Sequence, residues 1–320
     1  MSRIVIIGGS GHVGTYLVPR LVAAGHDVVN VSRGKHEAYA PNAAWNSVET
    51  VTLDRDAEEK AGTFGAKIAG LKPDIVIDMI CFTLESAKHL AEALKGRVGH
   101  FLHCGTIWVH GPSVAVPTPE TAARKPFGDY GIRKAAIEAF LLNEARTHGF
   151  PATCVHPGHI VGPGWTPLNP AGHFNNEAFS TLAAGSELAL PNFGLETVHH
   201  VHADDVAQVF MKAIGNWSLS VGESFHAVSP AAVSLRGYAG AMSAWFGREP
   251  KLKFLPWPEW KAGQKSDEDA TATWEHIARS PSCSIAKAER LIGYRPRYSS
   301  FEAVQESVTW LIGKGLVRTG

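Results

Sequence analysis

A phenol and an amine, Tyr130 and Lys134, stand four residues apart in the segment YGIRK. The surrounding run, DYGIRKAAIEAFLLNEARTHG, has helical character. Residues i and i+4 share a helix face, so the two groups can serve one site. A free phenol ionises near pH ~10 and is a poor base at neutral pH. An adjacent ammonium favours the phenolate, so Lys134 is expected to lower the Tyr130 value. A phenol tuned in this way takes a proton from a hydroxyl while hydride leaves the same carbon, or runs the reverse. Taken alone, Tyr-x-x-x-Lys is common and most often structural. Its company in the chain decides its meaning.

The N-terminal segment IVIIGGSGHVG supplies the first companion. Gly8, Gly11 and Gly14 follow an apolar strand and open a helix, the setting in which a glycine triplet is informative. Gly8 permits a tight turn, Gly11 lets backbone amides approach a pyrophosphate, and Gly14 lets helix and strand pack closely. Ser10, His12 and Val13 fill the same loop and are expected at the dinucleotide, whose phosphates would face the helix N-terminus. The second strand closes as Asn30-Val31-Ser32-Arg33, with no carboxylate for a ribose 2′-hydroxyl. Ser32 can hydrogen-bond and Arg33 is a fixed cation suited to phosphate, which tilts the choice from NAD to NADP. Asp54, after the third strand, either meets the adenine or caps a turn. The second companion is HFLHCGTIWVHG, a strand ending at the hydroxyl of Thr106, at the edge where open α/β sheets bind ligands.

These groups need a scaffold, and the first half of the chain reads as one. Strands are expected at RIVIIGG, DVVNVSR, SVETVTLD, PDIVIDMI, GHFLHCGT and PATCVHPG. Between them lie helical patterns, including a single helix across EEKAGTFGAKIAGLK. Alternating helices and near-continuously apolar strands imply a Rossmann-type, doubly wound parallel α/β sheet covered on both faces. After Pro157 the rhythm breaks into a Gly- and Pro-rich stretch. VHHVHADDVAQVFMKAIG then reads as strand and helix, the latter capped by Asp204 or a residue just before it. ESFHAVS reads as one more strand. Residues 1–157 with about 196–229 form the expected dinucleotide domain. About 158–195 with 230–320 form a smaller mixed substrate domain, which holds Trp245, Trp257, Trp260 and Trp274.

Bulk composition narrows the classes. Lys+Arg and Asp+Glu balance at 30 each over 320 residues, so composition gives no reason to expect a nucleic-acid or anionic-membrane partner. The four cysteines show no CxxC pair and read as buried free thiols in a reducing compartment. No apolar run is long enough for a bilayer and no signal-peptide h-region is visible, so a soluble cytoplasmic protein is expected.

The chain resembles the extended short-chain dehydrogenase/reductases, the NAD-dependent epimerase/dehydratase family. The resemblance rests on GGSGHVG, DIVIDMI, GTIWVHG, YGIRK, HPGHIVGPG, VHHVHADDVA and AERLIGYRPRYSSFEAV, and spans nearly the whole chain. It implies catalytic roles for Thr106, Tyr130 and Lys134, the latter two also touching the cofactor. It implies nicotinamide contacts at Pro157, Gly158, His159 and Ile160, and further cofactor contacts at Cys81 and Phe82. It implies no metal, and a homodimer formed through the long helices.

Three departures from the family pattern refine this. Dehydratases carry Asp-Glu after the hydroxyl residue, but here Ile107-Trp108 follows Thr106, which disfavours water loss. Nucleotide-sugar enzymes usually place an arginine before the VHADD segment. Thr197-Val198-His199-His200 has none, so a nucleotide-diphosphate substrate loses support. His156 stands where an arginine is usual before Pro-Gly, and the sequence offers no account of it.

Trp108, His110, His173, Asn175 and His199 are candidate pocket residues for a small sugar-like substrate. His199, His200 and His202 invite a zinc reading, but in a strand 200 and 202 share a face and 199 points away. The expected activity is hydride transfer to or from a secondary alcohol or ketone, as net oxidoreduction or as epimerisation. The competing reading is a non-enzymatic dinucleotide-binding regulator or an RNA-binding relative. Retention of Thr106, Tyr130 and Lys134 together speaks against it.

Overall fold

A computed structural model describes residues 1–264 and 266–319. Ile4, Val5, Ile6 and Ile7 are all within 1% of complete burial, which a strand achieves only with both faces covered. That strand, Arg3–Ile7, is central in a seven-stranded sheet. Strands Asp27–Ser32 and Glu49–Thr52 lie on one side of it; Ile75–Asp78, His100–Cys104, Ala152–Pro157 and Ser224–Ala227 lie on the other. Every pairing is parallel, with Ile4 opposite both Val28 and Ile75. The order reverses at Arg3–Ile7, and ligands of open α/β sheets bind beyond the carboxyl ends of strands at such a switch point.

Helices His12–Ala23, Ala203–Gly215 and Ala286–Ile292 pack on one face around Leu17, Phe210 and Ile292. Helices Phe64–Gly70, Leu84–Leu94 and Gly128–Thr147 cover the other around Phe64, Leu90 and Leu141. A third core, with Phe179, Tyr238, Trp260 and Leu311, builds the smaller lobe. The stretch expected as one helix over EEKAGTFGAKIAGLK is two, Arg55–Lys60 and Phe64–Gly70. Gly62 takes a left-handed φ of 69° between them, and the Thr63 hydroxyl ties back to Glu58. The cap of Ala203–Gly215 is His202, whose Nδ1 accepts from the Asp204 amide at 3.1 Å. Strand His200–His202 pairs with His159–Val161, joining the smaller lobe to the end of the main sheet. All four cysteines are buried and free. No described helix is long and apolar enough to cross a membrane.

Candidate active site

The glycine loop departs from Arg3–Ile7 through Gly8 at φ 87°, a conformation that excludes most side chains. A Cβ on Gly14 would land on the Gly9 carbonyl, so the helix approaches the strand only because this position has none. Helix His12–Ala23 starts without a side-chain cap and without an acidic residue in its first turn. Its amides are left to an external acceptor, and a phosphate meets that need. Beside it lies a cavity of about 300 Å³ lined by Gly8, Ser10, Gly11, Ser32, Arg33, Asp54 and Phe82. Lys35, His36 and Tyr39, which the motif reading missed, line it too. Every residue of this lining falls between 7 and 82. Arg55 also reaches it, but its guanidinium is engaged by Asp78 at 2.8 Å and by Glu59. Arg33 and Lys35 make no ion pair with another described residue. Asp54 both lines the cavity and caps a helix, its Oδ1 accepting from the Ala57 amide.

Other loop residues expected at a dinucleotide do not line this cavity. Val13 and Cys81 are buried in the cores, and the Cys81 thiol points to the Thr83 carbonyl. His12 stacks on Trp165 with ring centroids 5.1 Å apart and leans on Tyr39 at 5.3 Å. Pro157 ends its strand, and Gly158, His159 and Ile160 pass into a second cavity.

That second cavity, about 340 Å³, holds the hydroxyls. Thr106, Trp108, Tyr130, Gly158, His159, Ile160, Trp165, Phe174, Glu275 and His276 are among its lining residues. Thr106 lies two residues beyond strand His100–Cys104 and caps the following turn, its Oγ1 accepting from the Trp108 amide at 3.2 Å. The Thr106 side chain lies beside the Tyr130 phenol, close enough to lower its pKa. Lys134 is buried below and donates to the Cys81 and Cys104 carbonyls, 2.8 Å each. Its Nζ lies 4.9 Å from the Phe82 ring centroid and 5.9 Å from that of Tyr130. The expectation of a lowered phenol is corrected. Burial pushes Tyr130 up to about 12, the nearby Cys104 adds to the rise, and the Thr106 side chain only partly offsets it. The ammonium is turned toward two backbone carbonyls, not toward the phenol oxygen, and burial lowers Lys134 from its ordinary value.

Beneath Thr106 runs a buried polar chain that accounts for His156. The Thr106 amide donates to His156 Nδ1 at 3.1 Å, which fixes the tautomer, and Nε2–H donates to Glu138 at 2.9 Å. Glu138 also takes two bonds from the Arg124 guanidinium. Burial opposes its charge, but His156 and Arg124 together hold its carboxyl well below the usual range. Gly105 leaves room for the imidazole: a methyl there would sit 2.6 Å from His156 Cε1 and nearer still to Nδ1.

Of the proposed substrate contacts, only Trp108 lines the cavity with the hydroxyls. His110 is buried against His226 Nε2 at 2.8 Å and serves the same polar chain through Arg124. His199 is fully buried, holding the Ser229 carbonyl and the Cys283 amide. His173 and Asn175 line a separate cavity with Trp260 and Asp269. The three histidines read as a zinc possibility have protein partners: His199 as above, His200 at the Leu168 carbonyl, and His202 at Glu306, 2.7 Å away. Glu275, His276, Trp165 and Phe174 carried no motif, because they come from loops and a helix far along the chain.

The match to protein-family models covers residues 4–225, with the NAD dependent epimerase/dehydratase family. This chain belongs to that family. It is an NAD(P)-dependent enzyme of the extended short-chain dehydrogenase/reductase type. The 2′-dehydrokanamycin reductase of Streptomyces kanamyceticus is 27% identical over 98% of this chain and 86% of its own length. The chloroplast stem-loop binding protein of 41 kDa b of Arabidopsis thaliana is 25% identical over 99% of this chain and 81% of its own. The UDP-glucose 4-epimerase of Thermotoga maritima has the same fold, with a TM-score of 0.73 at 20% identity, covering 98% of this chain and 99% of that one.

Proposed function

We propose that this enzyme reduces a ketone on a small sugar-like ring, or oxidises the corresponding secondary alcohol, with NADP as the preferred cofactor. The carrying observation is the adjacent pair of hydroxyls, Thr106 and Tyr130, in the cavity beyond the sheet's carboxyl edge. The cofactor fits the residues present: uncapped amides at His12–Ala23, the Gly14 close approach, and Arg33 and Lys35 near Ser32 for a 2′-phosphate. When bound, it supplies or accepts the hydride.

This chain's own groups handle the proton. A phenol raised to about 12 is protonated in the resting enzyme, which suits a proton donor. Thr106 donates to the substrate oxygen and polarises the carbonyl. As hydride reaches the carbonyl carbon, the oxygen takes the proton of Tyr130. The phenolate left behind is offset at a distance by the Lys134 ammonium, whose Nζ lies 5.9 Å from the Tyr130 ring centroid with its hydrogens on the Cys81 and Cys104 carbonyls. In the alcohol direction each transfer reverses. Ile107-Trp108 stands where dehydratases carry their Asp-Glu pair, which disfavours loss of water. The Streptomyces relative, named for reducing 2′-dehydrokanamycin, favours the reductive direction. The chloroplast relative is named for stem-loop binding. The balanced charge of this chain and its intact hydroxyl pair favour chemistry instead.

The test follows loss of NADPH absorbance with a panel of keto sugars. Turnover should fall by about 10²–10⁴ in Tyr130→Phe, the usual worth of general acid–base help, and unchanged turnover would remove Tyr130 from the reaction. Arg33→Ala should weaken NADPH more than NADH, and equal weakening would end the NADP preference.

A further inference from the structure

We propose that the substrate carries an ammonium group and that Glu275 is its receptor. The inference rests on the reading that the substrate ring binds in the Thr106–Tyr130 cavity.

Beside the Thr106 and Tyr130 hydroxyls, the one ionisable carboxyl among the described residues lining that cavity is Glu275. Glu275 brings a carboxylate that makes no hydrogen bond or ion pair with another described residue. His276 gives its Nδ1–H to the Ala272 carbonyl, so Nε2 is left as a lone pair. That atom and Nε2 of His159 are themselves buried, which leaves the Glu275 carboxylate as the charged acceptor at the cavity surface. Burial lowers both imidazoles, His276 to about 4, so neither brings a positive charge at neutral pH. The walls are the rings of Trp108, Tyr130, Trp165 and Phe174. Aromatic faces around a single carboxylate favour a cation through charge pairing and through the ring quadrupoles.

Arg279 feels the charge of Glu275 but gives its carboxylate no hydrogen bond. Arg279 is 1% exposed and does not line the cavity. Its guanidinium lies 3.7 Å from the Trp108 ring centroid and 3.9 Å from that of Phe127. Nη1 donates to the Glu275 carbonyl at 2.7 Å and Nη2 to the Phe127 carbonyl at 2.6 Å. The arginine thus stiffens the wall from behind and offers no donor to an anion inside. With the segment before the VHADD sequence also lacking an arginine, a diphosphate would enter this cavity uncompensated.

The experiment uses the NADPH-loaded enzyme and reads binding by quenching of tryptophan fluorescence, since Trp108 and Trp165 line the cavity. The probes are 2-amino-2-deoxy-, 3-amino-3-deoxy- and 6-amino-6-deoxyglucose, each against its N-acetyl counterpart, with UDP-glucose for comparison. At least one amine should bind about tenfold more tightly than its acetylated form, the worth of one charge-assisted contact. Glu275→Gln should erase that preference and leave the acetylated probe unchanged, while Glu275→Asp should keep part of it. Equal binding of amine and amide, an unaltered preference in Glu275→Gln, binding of UDP-glucose alone, or failure of all three amines each overturns the proposal. The underlying reaction is judged separately. A Tyr130→Phe variant that loses ketone reduction while Glu275→Gln keeps it sinks the subsite and spares the chemistry. If Tyr130→Phe loses nothing, the reaction assignment itself fails.

Discussion

Replacing His156 by alanine removes the one acceptor of the Thr106 amide and one of the donors to Glu138. A buried amide left without a partner costs about 1–3 kcal/mol, and a hydrogen bond to a charged group about 1.5–3 kcal/mol. The loss should therefore be roughly 3–6 kcal/mol, a large part of the 5–15 kcal/mol that holds an ordinary domain together. Gly105 allows a sharper test. In the native protein Gly105→Ala presses a methyl to 2.6 Å from His156 Cε1, overpacking that should cost about 1–3 kcal/mol. In the His156→Ala background the obstacle is gone, and the same methyl enters vacated space. Urea unfolding of the two single variants and the double variant closes the cycle. The double variant should be about 1–3 kcal/mol more stable than the sum of the singles predicts. Turnover should fall in His156→Ala because Thr106 loses its anchor, while the Michaelis constant for NADPH holds, since the adenosine-side cavity lies elsewhere. Additive stabilities, to within about 0.5 kcal/mol, would show that the imidazole and Gly105 are not packed as described.

Acid should unfold this protein early. Burial holds His12, His100, His199, His200 and His276 near 4 in the fold, against an ordinary value near ~6.5 when unfolded. The unfolded chain then binds more protons, so the stability these groups give is complete above about pH 6.5 and drains as pH falls toward 4. Urea midpoints at pH 7.5, 6 and 5 should drop steeply, and a flat profile would contradict the burial of these imidazoles as neutral groups. Lys134→Met should leave the Cys81 and Cys104 carbonyls without their donor and cost about 2–4 kcal/mol of stability, along with turnover. A variant of unchanged melting temperature would mean that the ammonium is not the tie between these two strand ends.

Much of the scaffold was legible because parallel strands buried on both faces write themselves as unbroken apolar runs, as in Ile4–Ile7. The helix break at Gly62 was not, because one glycine inside a helical pattern is ordinarily tolerated. In the site, Tyr130 stood out by its spacing to Lys134 and Thr106 by its place after an apolar strand, whereas Lys35 and His36 beside Arg33 carried no motif. His110 and His199 look like ligand residues in sequence, yet the fold spends them on buried carbonyls, amides and another imidazole. Glu275 and His276 were invisible, since only the docking of helix Asp267–Arg279 brings them opposite residues well over a hundred positions earlier. The phenol went the wrong way because a four-residue spacing fixes a shared face but not where the amine's hydrogens point.

The cavity on the adenosine side draws its whole lining from residues 7 to 82, and the cavity of the hydroxyls from residues 106 to 276. On the proposed reading, the choice of nucleotide and the choice of substrate would be encoded in largely separate stretches of polypeptide, which meet where His12 and Tyr39 pack on Trp165. A graft of the early stretch should then exchange one redox currency for another while the later text, and with it the chemistry, stays as it was.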